Sequence, residues 1–255
     1  MISTTKKVLN KISSSTIFFI IGLIVLVFIW FISSKQIDNE FVLPEIKLVV
    51  NKLIDFLSEG KVIKIVLLTI LKVFIIIGLC FLISLVLAIL SYKFKWLYGF
   101  ISPILVIIRT APIASIIVIL LICVGLKRTP YYICSFVVIP VIYEQILQSF
   151  NNIDKDIIEE TKMISNINMN VFIKVFIPMA FPNMISAILT VFGLGLKVLV
   201  MAEVFSSNDE TFGGLLQSSR SSLDMSGIFA LTIIMIIVVV IVEGVLKFIK
   251  SKIRY

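Results

Sequence analysis

Six long apolar runs dominate this chain and limit it to a helical membrane fold. Each run is close to or above the length of about 20 residues that an α-helix needs to cross the hydrocarbon core of a bilayer. Transmembrane β-strands would be short segments of alternating apolar and polar residues, a pattern the sequence lacks. The sequence therefore predicts an all-α, polytopic membrane protein with about six spans, at residues 16–33, 65–91, 98–125, 131–149, 175–205 and 226–247.

The composition leaves no room for a soluble catalytic domain. The 255 residues are 60% hydrophobic and only 15% charged, whereas about a quarter of a soluble domain is charged. We therefore interpret residues 1–255 as a single transmembrane domain. The net charge of +8 is assigned to Lys and Arg at the headgroups rather than to nucleic-acid binding. With no histidine and three scattered cysteines, no metal site is predicted.

The distribution of Lys and Arg in the loops predicts the orientation of the chain in the membrane. More Lys and Arg residues fall in the two ends and the loops on their side than in the opposite loops. The positive-inside rule therefore places both termini in the cytoplasm, which agrees with an even number of spans.

Between the first two spans, Val49, Leu53 and Leu57 recur at intervals of four among charged residues. This spacing predicts an amphipathic outer helix at about 45–58.

Ionisable and irregular positions inside the spans mark a candidate transport path. A charge within a span is costly, so it faces water, the bundle interior or an opposite charge. Pro103 and Pro112 are expected to bend or break the third span, and irregular backbone at this depth is tolerated where it lines a cavity. The candidate path residues are Arg109, Thr110, Pro112, Lys197 and Glu203.

Ion pairing is the alternative role for these charges. Arg109 or Lys197 would then pair with Glu144 or Glu203, because an unpaired charge in a low dielectric is costly. Lys72 is expected to snorkel toward the interface. Two deep cations and few deep anions favour an anionic solute.

Two glycine pairs are also informative. Gly193 and Gly195 in the fifth span predict close helix packing. In the polar loop 206–224, Gly213 and Gly214 predict a turn that covers the outer face.

A polar island at residues 151–174 separates the fourth and fifth spans. Four apolar residues of the island, among them Ile164, fall within about 40° of Ile153 on a helical wheel. The pattern predicts one amphipathic helix at about 153–167. Glu160 lies near the apolar stripe, which favours docking into a protein groove. A helix that rests on lipid headgroups is the alternative.

The island resembles the cytoplasmic loop of permease subunits of bacterial ATP-binding-cassette (ABC) importers. That loop has Glu-Ala-Ala, three residues, Gly, nine residues and Ile-x-Leu-Pro. Here Glu159-Glu160-Thr161, Ser165 and Val175-Phe176-Ile177-Pro178 stand at those spacings. Ser165 for Gly, and Glu160-Thr161 for two alanines, are departures that affect the turn and the fit to an ATPase. The resemblance assigns ATPase coupling to Asp156, Ile157, Glu159, Glu160, Thr161, Ile164, Ser165 and Pro178.

Further motifs resemble the nitrate, sulfonate and taurine branch of these permeases. They are Leu43-Pro44, Ile108 to Ala114, Val200 to Glu203 and Phe212 to Leu216. The resemblance implies a type I ABC importer permease fold in the bacterial cell (inner or plasma) membrane. It also implies a homodimer, cytoplasmic ABC ATPase subunits on the coupling helix, and an extracytoplasmic solute-binding protein that delivers a sulfonate-, nitrate- or taurine-like solute.

The chain would be a non-catalytic subunit. It has no Gly-x-x-x-x-Gly-Lys-Ser/Thr loop, so ATP and Mg²⁺ are expected on the partner ATPase and no cofactor in this chain. Two rival functions remain. A secondary transporter driven by an ion gradient would show internal repeats, which are not evident. A membrane-embedded enzyme would need a recognisable catalytic group of residues.

Overall fold

The computed structural model describes residues 2–164, 169–206 and 210–253, and all regular elements in these ranges are helical. They are α1 (Ile2–Ile37), α2 (Ile46–Ser58), α3 (Gly60–Lys93), α4 (Lys95–Thr110), α5 (Ile113–Val124), α6 (Thr129–Asn151), α7 (Lys155–Ile164), α8 (Met169–Val171), a π-helical turn (Phe172–Phe176), α9 (Ile177–Ser206), α10 (Phe212–Ser221) and α11 (Met225–Ile253).

The long helices confirm the prediction of an all-α polytopic membrane protein. Within the described ranges, five helices are long and apolar enough to cross a bilayer. The pair α4 and α5 makes a sixth span if it is counted as one broken segment. The observed spans are longer than predicted: α3, for example, covers Gly60–Lys93 where the apolar run predicted 65–91.

The predicted break in the third span lies between α4 and α5, whose axes differ by 100°. Ala111 is extended (φ −66°, ψ 140°), as expected for a residue before proline, whose ring disfavours the helical region. Pro112 then precedes α5, where the missing N–H costs nothing. Pro103, by contrast, lies inside α4 and does not interrupt it.

One compact unit comprises Gly60–Ser218 and Ile233–Tyr255. Its centre is the packing of α6 against α3 and α9. Gly195 of α9 faces Val138 and Cys134 of α6, and a Cβ there would lie 3.4 Å and 3.5 Å from their side chains. Fully buried side chains fill this three-helix interface, among them Val73, Val138, Ile142, Ala187, Val191 and Phe192. The predicted packing role of Gly195 is therefore observed.

The second unit comprises Met1–Glu59 and Ser219–Thr232. The Trp30 Nε1–H of α1 donates to the Pro44 carbonyl (3.2 Å), and its ring lies 5.3 Å from that of Phe229. Lys52 of α2 pairs with Asp224 at 3.0 Å. Only 6% of the apolar window of α1 is buried within the chain, so this helix exposes an apolar surface on nearly all sides.

Candidate functional site

The helix α7 begins at Lys155 because Asp154 caps it. Oδ1 of Asp154 accepts the backbone N–H of Asp156 at 3.3 Å, which satisfies one of the free donors of a helix N-terminus. The sequence predicted a start at residue 153. Ile153 instead lies before the cap and is 8% exposed, so it buries an apolar side chain where the chain leaves α6.

Most of the predicted coupling residues lie on α7. Ile157 is half-buried, and its carbonyl accepts the Thr161 hydroxyl at 2.6 Å. Ile164 ends the helix, Pro178 is exposed at the beginning of α9, and Ser165 lies outside the described residues. Three carboxylates are exposed, those of Asp156, Glu159 and Glu160. These three carboxylates are the acidic surface of α7, and Glu160 lies beside the apolar stripe, on which Ile157 is half-buried.

An aromatic cluster fixes both flanks of α7. It consists of Tyr92 at the end of α3, Phe150 at the end of α6, and Phe172 and Phe176 of the π-helical turn. Ring centroids within the cluster lie 4.6 to 6.5 Å apart. Each such pair contributes about 0.5–1.5 kcal/mol beyond area burial. Because Phe150 precedes α7 and Phe172 follows it, the cluster packs the chain on both sides of α7 against Tyr92 of α3.

The π-helical turn Phe172–Phe176 is a consequence of Pro178. Proline has no N–H and its ring collides with the carbonyl four residues earlier, here that of Lys174. The wider turn contains one additional residue, and the Ile177 N–H bonds to the Phe172 carbonyl, five residues back. This geometry is the usual way to relieve such a conflict without ending the helix.

Arg109 and Thr110 end α4 just before the break. The Arg109 guanidinium forms an ion pair with Glu144 of α6. Both side chains are partly exposed, at 49% and 34%. The Thr110 hydroxyl donates to the carbonyls of Val106 and Ile107, so it remains within its own helix. The ion-pair alternative for Arg109 is therefore the one observed.

Glu203 forms a buried ion pair with Lys72. The Lys72 Nζ lies 3.4 Å from Glu203 Oε1, and the Gly213 backbone N–H donates to Oε2 at 3.2 Å. The Glu203 side chain is 2% exposed. The expectation that Lys72 snorkels was wrong, because Lys72 extends to a carboxylate 131 residues away. The open pairing of Arg109 or Lys197 with Glu144 or Glu203 is observed as Arg109 with Glu144, whereas Glu203 pairs with Lys72.

The predicted turn at Gly213 and Gly214 was also wrong, because both glycines lie in the first turn of α10. The Thr211 hydroxyl accepts the Gly214 N–H at 3.1 Å, as an N-cap does. Glycine is needed at 213 for a close approach rather than for a turn. A Cβ there would lie 2.4 Å from Glu203 Cβ, 2.5 Å from the Val204 nitrogen and 2.6 Å from the Val200 carbonyl oxygen.

Gly213→Ala should therefore displace α10 from α9. Two of the three colliding atoms belong to the backbone and cannot rotate away, so we expect a loss of about 1–3 kcal/mol, the usual cost of overpacking. Thermal unfolding in detergent would measure it. Gly78→Ala is the matched control, because nothing lies within 4 Å of a Cβ at Gly78. Equal unfolding temperatures for the two variants would contradict the close approach.

Lys197 lies on an exposed polar stripe of α9. Asn183, Ser186, Thr190 and Lys197 fall within about 60° of one another at 3.6 residues per turn, and all are exposed or half-buried. Lys197 has no ion pair with any residue that the structure describes, in contrast to Arg109 and Lys72. Near the α7 end of the stripe, Lys250 Nζ donates to the Ser186 hydroxyl at 2.6 Å.

The sequence from the middle of α3 onward matches a known family of transport proteins. The family model described as the binding-protein-dependent transport system inner membrane component matches residues 80–255, which is more than half of the chain. The chain belongs to this family. As a transport permease component it crosses the membrane several times. No match was found among curated protein sequences.

Solved structures show the same fold for this permease. It is similar to a chain of the MetNI methionine ABC transporter in inward-facing conformations, in two crystal forms. With the selenomethionine-soaked form the TM-score is 0.69 at 16% identity, covering 76% of this chain and 97% of the other. With the native form the TM-score is 0.66 at 17% identity, covering 76% and 96%. The permease therefore has the type I ABC importer permease fold.

Two sets of contacts in the permease were not predicted from the sequence. The partner of Glu203 is Lys72, and nothing in the local pattern joins two residues in different spans. The aromatic cluster was also missed, although Phe172 and Phe176 stand four residues apart beside Pro178. Two phenylalanines four residues apart lie on one side of a helix, so this spacing could have predicted that Phe172 and Phe176 pack together.

Proposed function

We propose that this permease forms the translocation path for a small anionic solute and couples it to a separate cytoplasmic ATPase through α7. An extracytoplasmic binding protein delivers the solute, and ATP and Mg²⁺ bind only to the ATPase. Both termini and α7 lie in the cytoplasm, in agreement with the distribution of Lys and Arg in the loops. The permease acts as a homodimer in the bacterial cell membrane.

The proposal of an anionic solute rests on Lys197, which has no ion-pair partner among the described residues. It lies within the 35-residue span Phe172–Ser206, where an unpaired charge is costly unless it faces water or a partner. Arg109 and Lys72 have carboxylate partners, so their charges are largely compensated. Lys197 is therefore the candidate path residue whose charge remains available to a passing anion.

The polar stripe also supports the homodimer. The Asn183 and Lys197 side chains are exposed on the surface of this single chain, although polar and charged side chains are costly against lipid tails. A second copy facing this stripe would enclose it and place two Lys197 side chains on the same path. Each would face water and solute rather than hydrocarbon.

Two features of α7 support the coupling proposal. Its exposed carboxylates are not used within the described chain, so they are available to an ATPase groove. Its flanks are held by the aromatic cluster, which links α7 to three spans. Rotation of a docked α7 would thus move the spans as rigid bodies.

Lys197→Gln is expected to reduce kcat/KM for uptake of an anionic solute about tenfold to a hundredfold, because one charge-assisted interaction contributes about 1.5–3 kcal/mol. Uptake by proteoliposomes that contain the complete transporter would measure it. Lys197→Arg should retain most of the activity. Lys64→Gln is the control, because Lys64 is an exposed lysine at the beginning of another span.

Two results would contradict the path assignment. Equal uptake by wild type and Lys197→Gln would remove Lys197 from the path, and equal losses in Lys64→Gln would indicate a general charge effect. Co-purification with an ATPase separates the proposal from an ion-gradient transporter, which would transport its solute without ATP.

A further inference from the structure

We propose that a polar cavity beside α7 binds the phosphate group of an anionic membrane lipid. The cavity has a volume of about 640 Å³ and lies between the end of α3, the beginning of α4, the end of α6 and α7. Its polar wall consists of Ser91, Tyr92, Lys95, Tyr98 and Asn151. Ligand cavities have volumes of about 300–1,000 Å³, so a lipid headgroup fits.

The electrostatics of this cavity favour an anion. Lys95 is exposed and has no ion pair with any described residue, and no carboxylate is among the residues that line the cavity. Lys95 is also the first residue of α4, whose N-cap residue Phe94 offers no side-chain cap. The free N–H groups and the dipole of this helix terminus attract negative charge to the same place.

A buried hydroxyl in the cavity wall indicates a missing acceptor. Ser91 is 3% exposed, and its Oγ lies beside the Tyr143 hydroxyl, which can pair with it. Neither hydroxyl has another partner among the described residues. Because two paired hydroxyls use only one of their two O–H donors, one O–H still lacks an acceptor. Buried hydroxyls are nearly always satisfied, and a phosphate oxygen in the cavity would accept from this pair after a small adjustment.

The position of the cavity identifies a lipid rather than a soluble ion as the source of the phosphate. The cavity lies where the spans Gly60–Lys93 and Thr129–Asn151 end, which is the depth of lipid headgroups. Tyr98 lines the cavity and is exposed, as is Trp96 two residues before it in the chain, and Trp and Tyr concentrate at this interface. Leu147 and Ile158 form its apolar wall. Since Ile158 belongs to α7, a bound lipid would contact the proposed coupling helix directly.

The test is lipid binding to the detergent-solubilised full-length chain, followed by native mass spectrometry. The probes are dioleoyl phosphatidylglycerol, dioleoyl phosphatidylcholine and inorganic phosphate. We expect phosphatidylglycerol to bind in preference to phosphatidylcholine. Lys95→Gln should weaken that binding about fivefold, the effect of one lysine near an anionic lipid surface. Asn151→Ala, which removes one neutral donor, should weaken it about threefold.

Lys93→Gln is the matched control. It removes the same charge two residues away, where Lys93 lies over the Phe94 ring and does not line the cavity. Equal losses in Lys93→Gln and Lys95→Gln would overturn the proposal in favour of general attraction to anionic lipid. Displacement by millimolar inorganic phosphate would overturn the lipid assignment. Lost ATPase association with unchanged lipid binding in Lys95→Gln would show that the cavity belongs to the subunit interface instead.

Discussion

Glu159→Lys is expected to abolish solute-stimulated ATP hydrolysis while leaving membrane insertion intact. Glu159 is exposed on α7 and forms no ion pair with the described residues, so the permease itself loses no contact. In a complex the substitution places a cation where the ATPase accommodates a carboxylate. Juxtaposed like charges at an interface cost several kcal/mol, which is enough to lower association at least about a hundredfold.

Glu59→Lys provides the matched control for this experiment. Glu59 is an exposed glutamate that follows α2, and the proposed orientation places it on the opposite side of the membrane from α7. Both variants should insert and unfold like wild type, and only Glu159→Lys should lose hydrolysis in proteoliposomes with the ATPase and binding protein. Normal stimulation in Glu159→Lys would contradict ATPase docking on α7 and would favour a helix that rests on lipid.

Lys72→Met is expected to destabilise the permease by about 3–5 kcal/mol, the cost of leaving a buried charge without its partner. The Glu203 carboxylate would remain 2% exposed with only the Gly213 N–H as a donor. Glu203→Gln should cost less, because its amide oxygen still accepts the Gly213 N–H and Lys72 is a quarter exposed. Unfolding in detergent would measure both losses.

The double variant Lys72→Met/Glu203→Gln completes the cycle. Without either charge it should be more stable than Lys72→Met alone, because a buried ion pair can be replaced by neutral groups at little cost. A coupling energy above about 0.5 kcal/mol would confirm the pair. Additive losses would show that the two charges do not interact, and would return Glu203 to the candidate path residues.

The broad fold could be predicted from sequence because it follows from local patterns. Apolar length predicted the spans, and Pro112 predicted the break between α4 and α5, since both effects act within a few residues. The α7 helix was predicted from its periodicity. It begins at Lys155, after the Asp154 cap, rather than at the predicted residue 153. These features need no knowledge of distant residues.

The contacts of the candidate site could not be predicted, because they join residues far apart in the chain. Lys72 and Glu203 are separated by 131 residues, so composition showed two charges but not their pairing. Gly213 has the local pattern of a turn, and only the close approach of Glu203 and Val204 explains why a helix has glycine at this position. Lys197 became the candidate for contact with an anion only when the structure gave Arg109 and Lys72 carboxylate partners.

The extra residue in the turn Phe172–Phe176 is absorbed within that turn. In an α-helix each residue rotates the chain by about 100°, so an inserted residue would ordinarily rotate the helix before it against the helix after it. The π-helical turn instead uses five residues for a hydrogen-bonded step that takes four in an α-helix, so α8 and α9 keep nearly the relative rotation of an uninterrupted helix. A one-residue deletion between Phe172 and Phe176 would therefore leave the direction of α9 nearly unchanged and would set the Pro178 ring against the carbonyl four residues before it.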